Sequence, residues 1–244
     1  MYNKTELKKL REISKKLYLL DEFVLLSHMN PDADNIGSRI ALYEVLRKLN
    51  KKAYIIVDKF IPGYLNFLDS IDHIIICDNE EKIKKYLNKN VILLDCGEYS
   101  RLGGVKEIYD NSSFTINIDH HPDNPAKDNI NFIKSDASSV SEILYFLFKQ
   151  MKIKSDENIM KALYSGIITD TGCFKNKNTT LEAMKISYEF KKHGIDISYI
   201  AEKIYENNSY EKIKLKGLTL STLNKTDDGL ICWAYLTQDM YFNS

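Results

Sequence analysis

At 244 residues and 44% hydrophobic content, the chain sits between one large domain and two small ones and carries enough apolar side chains to bury a proper core. A formal net charge of +0 gives no sign of a surface built to track a long polyanion such as duplex DNA, while small or short phosphorylated substrates stay open. The opening residues, MYNKTELKKLREISKKL, lack the apolar core of a signal peptide, and no later run approaches the roughly 20 apolar residues of a spanning helix, so no membrane segment is expected and the chain reads as cytoplasmic. In chain order, an amphipathic helix with Leu7, Leu10, Ile13, Leu17 and Leu20 at helical spacing leads into Phe23–Ser27, an apolar run typical of a buried parallel strand. A helix from Ser38 to Leu49 carries Ile40, Tyr43, Leu46 and Leu49 on one face, and residues 54–57, 73–77, 91–94 and 114–118 read as further strands. This alternation predicts an α/β fold with a parallel sheet flanked by helices. Past the last strand the chain turns helical. Ser139 with Glu142, and Thr179 with Glu182, form capping boxes before helices over Ile143–Met151 and up to Gly194, with Asp156–Ile168 between them. Asp196 caps a helix through Ile204, Tyr210–Leu223 reads as another, and Asp227-Asp-Gly229 turns into the strand-like Leu230–Tyr235. A boundary near His193-Gly194-Ile195 separates residues 1–193 from a small α/β lobe beginning at 194 and running to 244. The cysteines Cys77, Cys96, Cys173 and Cys232 are scattered without a C-x-x-C pair and read as reduced core thiols.

Acids and imidazoles gather at the exits of these elements, where open α/β sheets build their sites. In Ser27-His-Met-Asn-Pro-Asp-Ala-Asp-Asn-Ile-Gly-Ser38, His28 leaves a strand, Pro31 fixes a turn, and Asp32 and Asp34 project from a loop just before a helix. Capping needs a single acceptor, and this segment supplies two acids and an imidazole. Asp95 stands at the exit of Val91–Leu94; taken alone it reads as a turn residue. Asp119-His120-His121 ends the last strand before Pro122, and Asp170 lies between two threonines at the end of a helical stretch, where a C-cap turn alone would explain it. Together these positions offer nitrogen and oxygen donors with no obligatory thiolate, which suits manganese, magnesium or iron better than structural zinc. Crowded carboxylates repel unless cations lie between them, and a dinuclear centre is the arrangement such sets serve in phosphate-ester hydrolysis.

These residues resemble the DHH phosphoesterase superfamily, and within it the short bacterial subgroup of nanoRNase/pAp phosphatases, which are bifunctional oligoribonucleases. The motifs are His28-x-x-Pro-Asp-x-Asp34 with Gly37-Ser38, Asp95 with Arg101-Leu-Gly103, Asp119-His-His121, and Thr169-Asp-Thr-Gly172 with Phe174. The resemblance implies that His28, Asp32 and Asp95 hold one divalent ion and that Asp34, Asp95, His120 and Asp170 hold a second, with Asp95 bridging. The ions would be Mn2+, with Mg2+ or Fe2+ as alternatives, and a hydroxide between them would attack phosphorus. It further implies that His121 contacts the phosphate and aids the leaving group, that Asp119 accepts the other ring proton of an imidazole, and that Arg101 is a candidate phosphate ligand, a plain surface arginine being the alternative. Lys134, beyond that loop, reads as a solvated charge.

The expected substrates are short oligoribonucleotides, 3′-phosphoadenosine 5′-phosphate, or both. Two alternatives stand beside this: a small-phosphate hydrolase of the pyrophosphatase or cyclic-dinucleotide kind, and a metal- or nucleotide-binding module without turnover. Ala33 and Asn35 stand where the subgroup commonly shows glycine and a small apolar residue, which removes no ligand but implies a differently shaped loop. Residues 1–193 would be the catalytic domain. Residues 194–244 would be a linker and an incomplete DHH-associated substrate-binding domain, because the glycine-rich GGGH-type motif of that domain does not occur before Ser244. Tyr199, Tyr205 and Tyr210 read as core packing ahead of base stacking or a homodimer seam.

Overall fold

The computed structural model describes residues 2–244. Its contacts divide the chain into two compact units, Met1–Ile204 and Tyr205–Ser244. The first unit opens with α1 (Lys4–Leu19), begun by a capping box in which Asn3 accepts from the amides of Thr5 and Glu6 while the Glu6 carboxylate takes the Asn3 amide at 2.7 Å. Then come β1 (Glu22–Leu26), α2 (Ala33–Lys48), β2 (Lys52–Val57), β3 (Ile74–Ile76), α3 (Glu80–Lys84), β4 (Asn90–Leu94), a 3₁₀ stretch over Tyr99–Val105, α4 (Lys106–Asp110), β5 (Phe114–Asp119) and β6 (Ile130–Ile133). Four helices complete it: α5 (Val140–Gln150), α6 (Glu157–Asp170), α7 (Leu181–Lys192) and α8 (Ile197–Tyr205).

The strands form a six-stranded sheet in the order β3-β2-β1-β4-β5-β6, every neighbouring pair parallel. Side chains alternate across it with period two. Phe23, Leu25, Ile92 and Leu94 point into a large core shared with α1, α2, α5, α6 and α7, whereas Val24, Leu26, Val91 and Leu93 face a smaller cluster with Ile83, Leu102, Val105 and Ile108. Both faces are therefore covered, which is why these strands read as continuous apolar runs. The parallel α/β architecture expected from the sequence is the one observed.

Several local expectations are corrected. The second helix begins at Ala33, not Ser38: Asp32 caps it by accepting from the amides of Asp34 and Asn35, so Asp34 lies in its first turn and not in a loop. Strand β6 was not expected; it is a short edge strand whose buried Ile130 and Phe132 alternate with the half-buried Asn131 and Ile133. The Glu142 carboxylate turns to the amide and hydroxyl of Ser138 at 3.1 and 2.8 Å and to Thr180 at 2.5 Å, so Ser139 caps α5 without a reciprocal box. Thr180, not Thr179, caps α7. Lys134 is buried, paired with Glu6 at 3.0 Å and Asp136 at 2.6 Å, because α1 closes over the end of β6. Cys77 and Cys96 are buried as expected, but Cys173 and Cys232 are exposed. Tyr199, Tyr205 and Tyr210 are exposed as well, with Tyr199 edge-on to Phe67 at 5.9 Å between ring centres.

The second unit holds α9 (Tyr210–Leu220), a two-stranded antiparallel ribbon of β7 (Asn224–Lys225) and β8 (Cys232–Trp233), and α10 (Gln238–Phe242). The strand expected over Leu230–Tyr235 is thus reduced to its centre. Both hydrophobic clusters lie in the first unit, and Leu223, Leu230, Ile231, Trp233 and Phe242 of the second are exposed. No helix among the described residues is long and apolar enough to cross a membrane.

Candidate metal centre

In this strand order the connections from β1 and β4 leave to opposite sides, opening a crevice beyond their carboxyl ends. His28 comes just after β1, Asp95 directly after β4 and His120 directly after β5. Asp95 is central. One carboxylate oxygen lies 3.5 Å from His28 Nε2 and the other 3.5 Å from His120 Nε2. Its backbone φ of +52° is the left-handed region that non-glycine residues seldom occupy, and the turn it makes swings the side chain into the crevice.

Around Asp95 stand three groups whose donor atoms each lie within 4.8 Å of one another: His28, Asp32 and Asp95; Asp34, His120 and Asp170; and Asp95, Asp119, His120 and His121. Asp32 Oδ2 is 4.0 Å from His28 Nε2 while its other oxygen caps α2. Asp34, fully buried, accepts from the amides of Val140 and Ser141 at 2.7 and 3.0 Å, so the positive end of α5 faces it. Asp170, the last residue of α6, sits 3.3 Å from His120 Nε2. Close helix approach makes this possible, since a Cβ on Gly166 would strike Ser141 Oγ and Asp34 Oδ1, and one on Gly37 would strike the Ala162 carbonyl.

The electrostatics are those of a crowded acid cluster. Burial, then the charges of Asp34, Asp95 and Asp32, push the Asp170 carboxyl up to about 11; burial and Asp95 push Asp34 up to about 7 and raise Asp32. Asp95 goes the other way: burial opposes its charge, but hydrogen bonds from His120 and His28 outweigh that and hold it below the usual carboxylate range. His120 is raised to about 9, burial being outweighed by Asp95 and by the charge of Asp34. Divalent cations fit this set. They relieve the repulsion that otherwise forces protons onto Asp34 and Asp170, and the Nε2 atom of His28 faces Asp32 and Asp95, where a cation would sit.

To one side, His121 Nδ1 lies 2.8 Å from Asp119 Oδ1, which raises its pKa and leaves Nε2 as the ring atom open to a ligand. Asp119, fully buried, also accepts from the amides of His120 and His121 and, on its other oxygen, from Asn124 Nδ2 at 2.6 Å. Asn124 in turn meets Asn117, which donates to Asp128 at 3.0 Å. Tyr99 and Tyr109 hold Asp128 from the far side. The backbone carbonyl of Arg101 takes the Met29 amide at 2.7 Å and so ties the 3₁₀ stretch to the His28 loop. Among the described residues no ion pair or hydrogen bond joins the Arg101 side chain to the cluster.

Residues 22–167 match the family model described as the DHH family, N-terminal domain. The chain belongs to that family. A DHH relative, the bifunctional oligoribonuclease and PAP phosphatase NrnA of Thermus thermophilus, is 30% identical over 216 residues, covering 88% of this chain and 63% of the relative, so the chain spans less than two thirds of that protein's length. A probable manganese-dependent inorganic pyrophosphatase of Oceanobacillus iheyensis is 26% identical over 189 residues, covering 71% of this chain and 56% of the relative. Among solved structures, an exopolyphosphatase-related protein from Bacteroides fragilis superposes with a TM-score of 0.90 at 26% identity, covering 97% of this chain and 71% of that one.

The fold thus brings together all six candidate ligands, with Asp119 and His121 beside them. Sequence reasoning missed Asn124, Asn117 and the first amides of α5. Asn124, two residues after Pro122, offered a weak signal as a turn residue; the amides of Val140 and Ser141 offered none, because any residue has one.

Proposed function

We propose that the chain is a metal-dependent phosphoesterase that hydrolyses short oligoribonucleotides, 3′-phosphoadenosine 5′-phosphate, or both. The observation that carries this reading is Asp95, with one oxygen toward each imidazole 3.5 Å away, which suits a carboxylate shared between two cations. His28, Asp32 and Asp95 would hold one ion, and Asp34, Asp95, His120 and Asp170 the other. Mn2+ is the favoured ion, on the oxygen and nitrogen donors and on the likeness to a manganese-dependent relative. Bound there, divalent ions supply an activated water near neutral pH and neutralise charge developing on the phosphoryl group. His121, held by Asp119, keeps its proton and presents Nε2 to a phosphoryl or leaving-group oxygen. Asp119 keeps that ring oriented, and Asn124 keeps Asp119 oriented. Arg101 is proposed as a further phosphate contact.

On this reading residues 1–193 are the catalytic domain, and residues 194–244 a linker and the beginning of a substrate-binding domain. The test is product release with Mn2+ present, using dinucleotides, 3′-phosphoadenosine 5′-phosphate and pyrophosphate in parallel. Mononucleotide or phosphate release that Asp34→Ala abolishes supports the proposal. A strong preference for pyrophosphate replaces it with the small-phosphate reading, and Mn2+ uptake without turnover of any substrate replaces it with a binding module.

A further inference from the structure

Beneath the candidate centre lies a buried cation that the chemistry above does not use. Arg39, on the second turn of α2, is 1% exposed, and among the described residues no carboxylate pairs with it. Its fork is taken up inside the fold. Nε donates to the Asn35 carbonyl at 3.0 Å, one terminal nitrogen donates to the Ile56 carbonyl of β2 at 2.6 Å, and the other donates to Asn35 Oδ1. Burial lowers the Arg39 pKa to about 9, and the charges of Asp95 and Asp32 offset this only in part and without direct contact, so the guanidinium is costly where a methionine or leucine would pack.

The direction of the hydrogen bonds shows what the fork does. Because Asn35 Oδ1 receives from a group that can only donate, the amide has one orientation, and Nδ2 must face the other way. There it donates to Ser27 Oγ at 2.6 Å and to the His28 carbonyl at 3.1 Å. Ser27 Oγ, already accepting, spends its proton on the Asp95 carbonyl at 3.1 Å. The Asp95 amide meanwhile donates to the Ile118 carbonyl at 3.2 Å. Asp95 is thus pinned on both sides of its left-handed turn, a conformation that persists where its surroundings over-determine it.

We propose that Arg39 is a positioning residue that, through Asn35 and Ser27, locks the Asp95 turn and the His28 backbone in the geometry from which both reach the metals. This rests on the metal reading above. The relay joins the end of β2, the first turn of α2 and the exits of β1 and β4, so one guanidinium sets the relative placement of both side chains.

The experiment uses Mn2+ alone as probe, with its dissociation constants read by electron paramagnetic resonance of the free ion and thermal unfolding in chelator as the structural control. Arg39→Met and Ser27→Ala are expected to weaken Mn2+ binding by about tenfold to a hundredfold, as loss of an orienting contact does, while the metal-free protein still unfolds in one cooperative transition. The double variant is expected to bind no more weakly than the weaker single one, since both cut one relay. Wild-type affinity in either Arg39→Met or Ser27→Ala overturns the inference, as does a double variant whose loss is the sum of the single losses. Should Arg39→Met fail to fold, Arg39→Gln takes its place and is read in the same way. If the wild-type chain takes up no Mn2+, the metal reading falls and takes the inference with it; if the wild type binds and the variants bind alike, only the inference falls.

Discussion

Asp95→Asn keeps the shape of the side chain but turns one of its two acceptor oxygens into a donor, so either the His28 side or the His120 side loses its acceptor. The expected outcome is Mn2+ affinity lower by at least about a hundredfold by calorimetry and kcat/KM lower by about a thousandfold. Uptake equal to wild type would remove Asp95 from the centre. The neighbouring protons give a second prediction. Asp34 and Asp170 have folded pKa values above their ordinary 3.8, so their share of stability is complete below that value and is lost as pH rises through about 7 for Asp34 and toward about 11 for Asp170. His120, raised from 6.5, gives its full share below 6.5 and loses it through about 9. Asp95, lowered, acts in the opposite sense, but its contribution is lost only in strong acid. In chelator the melting temperature should therefore fall between about pH 5 and about pH 9, and Mn2+ should restore it increasingly toward the alkaline end, because cations replace the displaced protons. A melting temperature in chelator that rises over that range contradicts the crowded-acid picture.

The elements meet most tightly where α2, α5 and α6 converge on Asp34. The first amides of α5 hold both its oxygens, and Gly166 of α6 leaves the room they need. Gly166→Ala places a methyl group against Asp34 Oδ1 and Ser141 Oγ, and is expected to cost about 1–3 kcal/mol in urea unfolding while weakening Mn2+ binding. Gly217→Ala in α9 meets nothing within 4 Å and should lose no stability, since alanine is the better helix former by up to about 1 kcal/mol. An unfolding midpoint for Gly166→Ala equal to wild type would show that the helices part without cost. Element positions were legible in the sequence where periodicity was strong, as in Val91–Leu94, whose two buried faces leave an unbroken apolar run. They were misread where a cap competes with a functional reading. Asp32 serves both, and the true start at Ala33 was hidden because the first turn of α2 is filled by Asp34, Asn35 and Gly37 in place of good helix formers. Strand β6 escaped notice for a related reason, being short and following the polar loop from Pro122 to Asn129.

For the whole molecule, the contrast between the two units carries a prediction of its own. The first buries two hydrophobic clusters, whereas the second leaves Leu230 83% and Phe242 78% exposed. Exposed apolar side chains of this size favour self-association, so Leu230→Asp with Phe242→Asp should lower light scattering at rising protein concentration and leave Mn2+ affinity unchanged. Scattering unaltered by both changes would show that these side chains play no part in association. The sequence by itself determined the parallel sheet and the residue types at the strand exits, because side-chain period and turn chemistry are local and survive in a linear reading, and its motifs carried the family resemblance. Only the tertiary structure decided how those residues are used. Asp34 is held by amides 106 and 107 positions away, Lys134 is paired with Glu6 128 positions away, and Asp95 divides its two oxygens between imidazoles from two different strands. Such pairings depend on which strand exits the sheet order brings side by side, and no local pattern records that order.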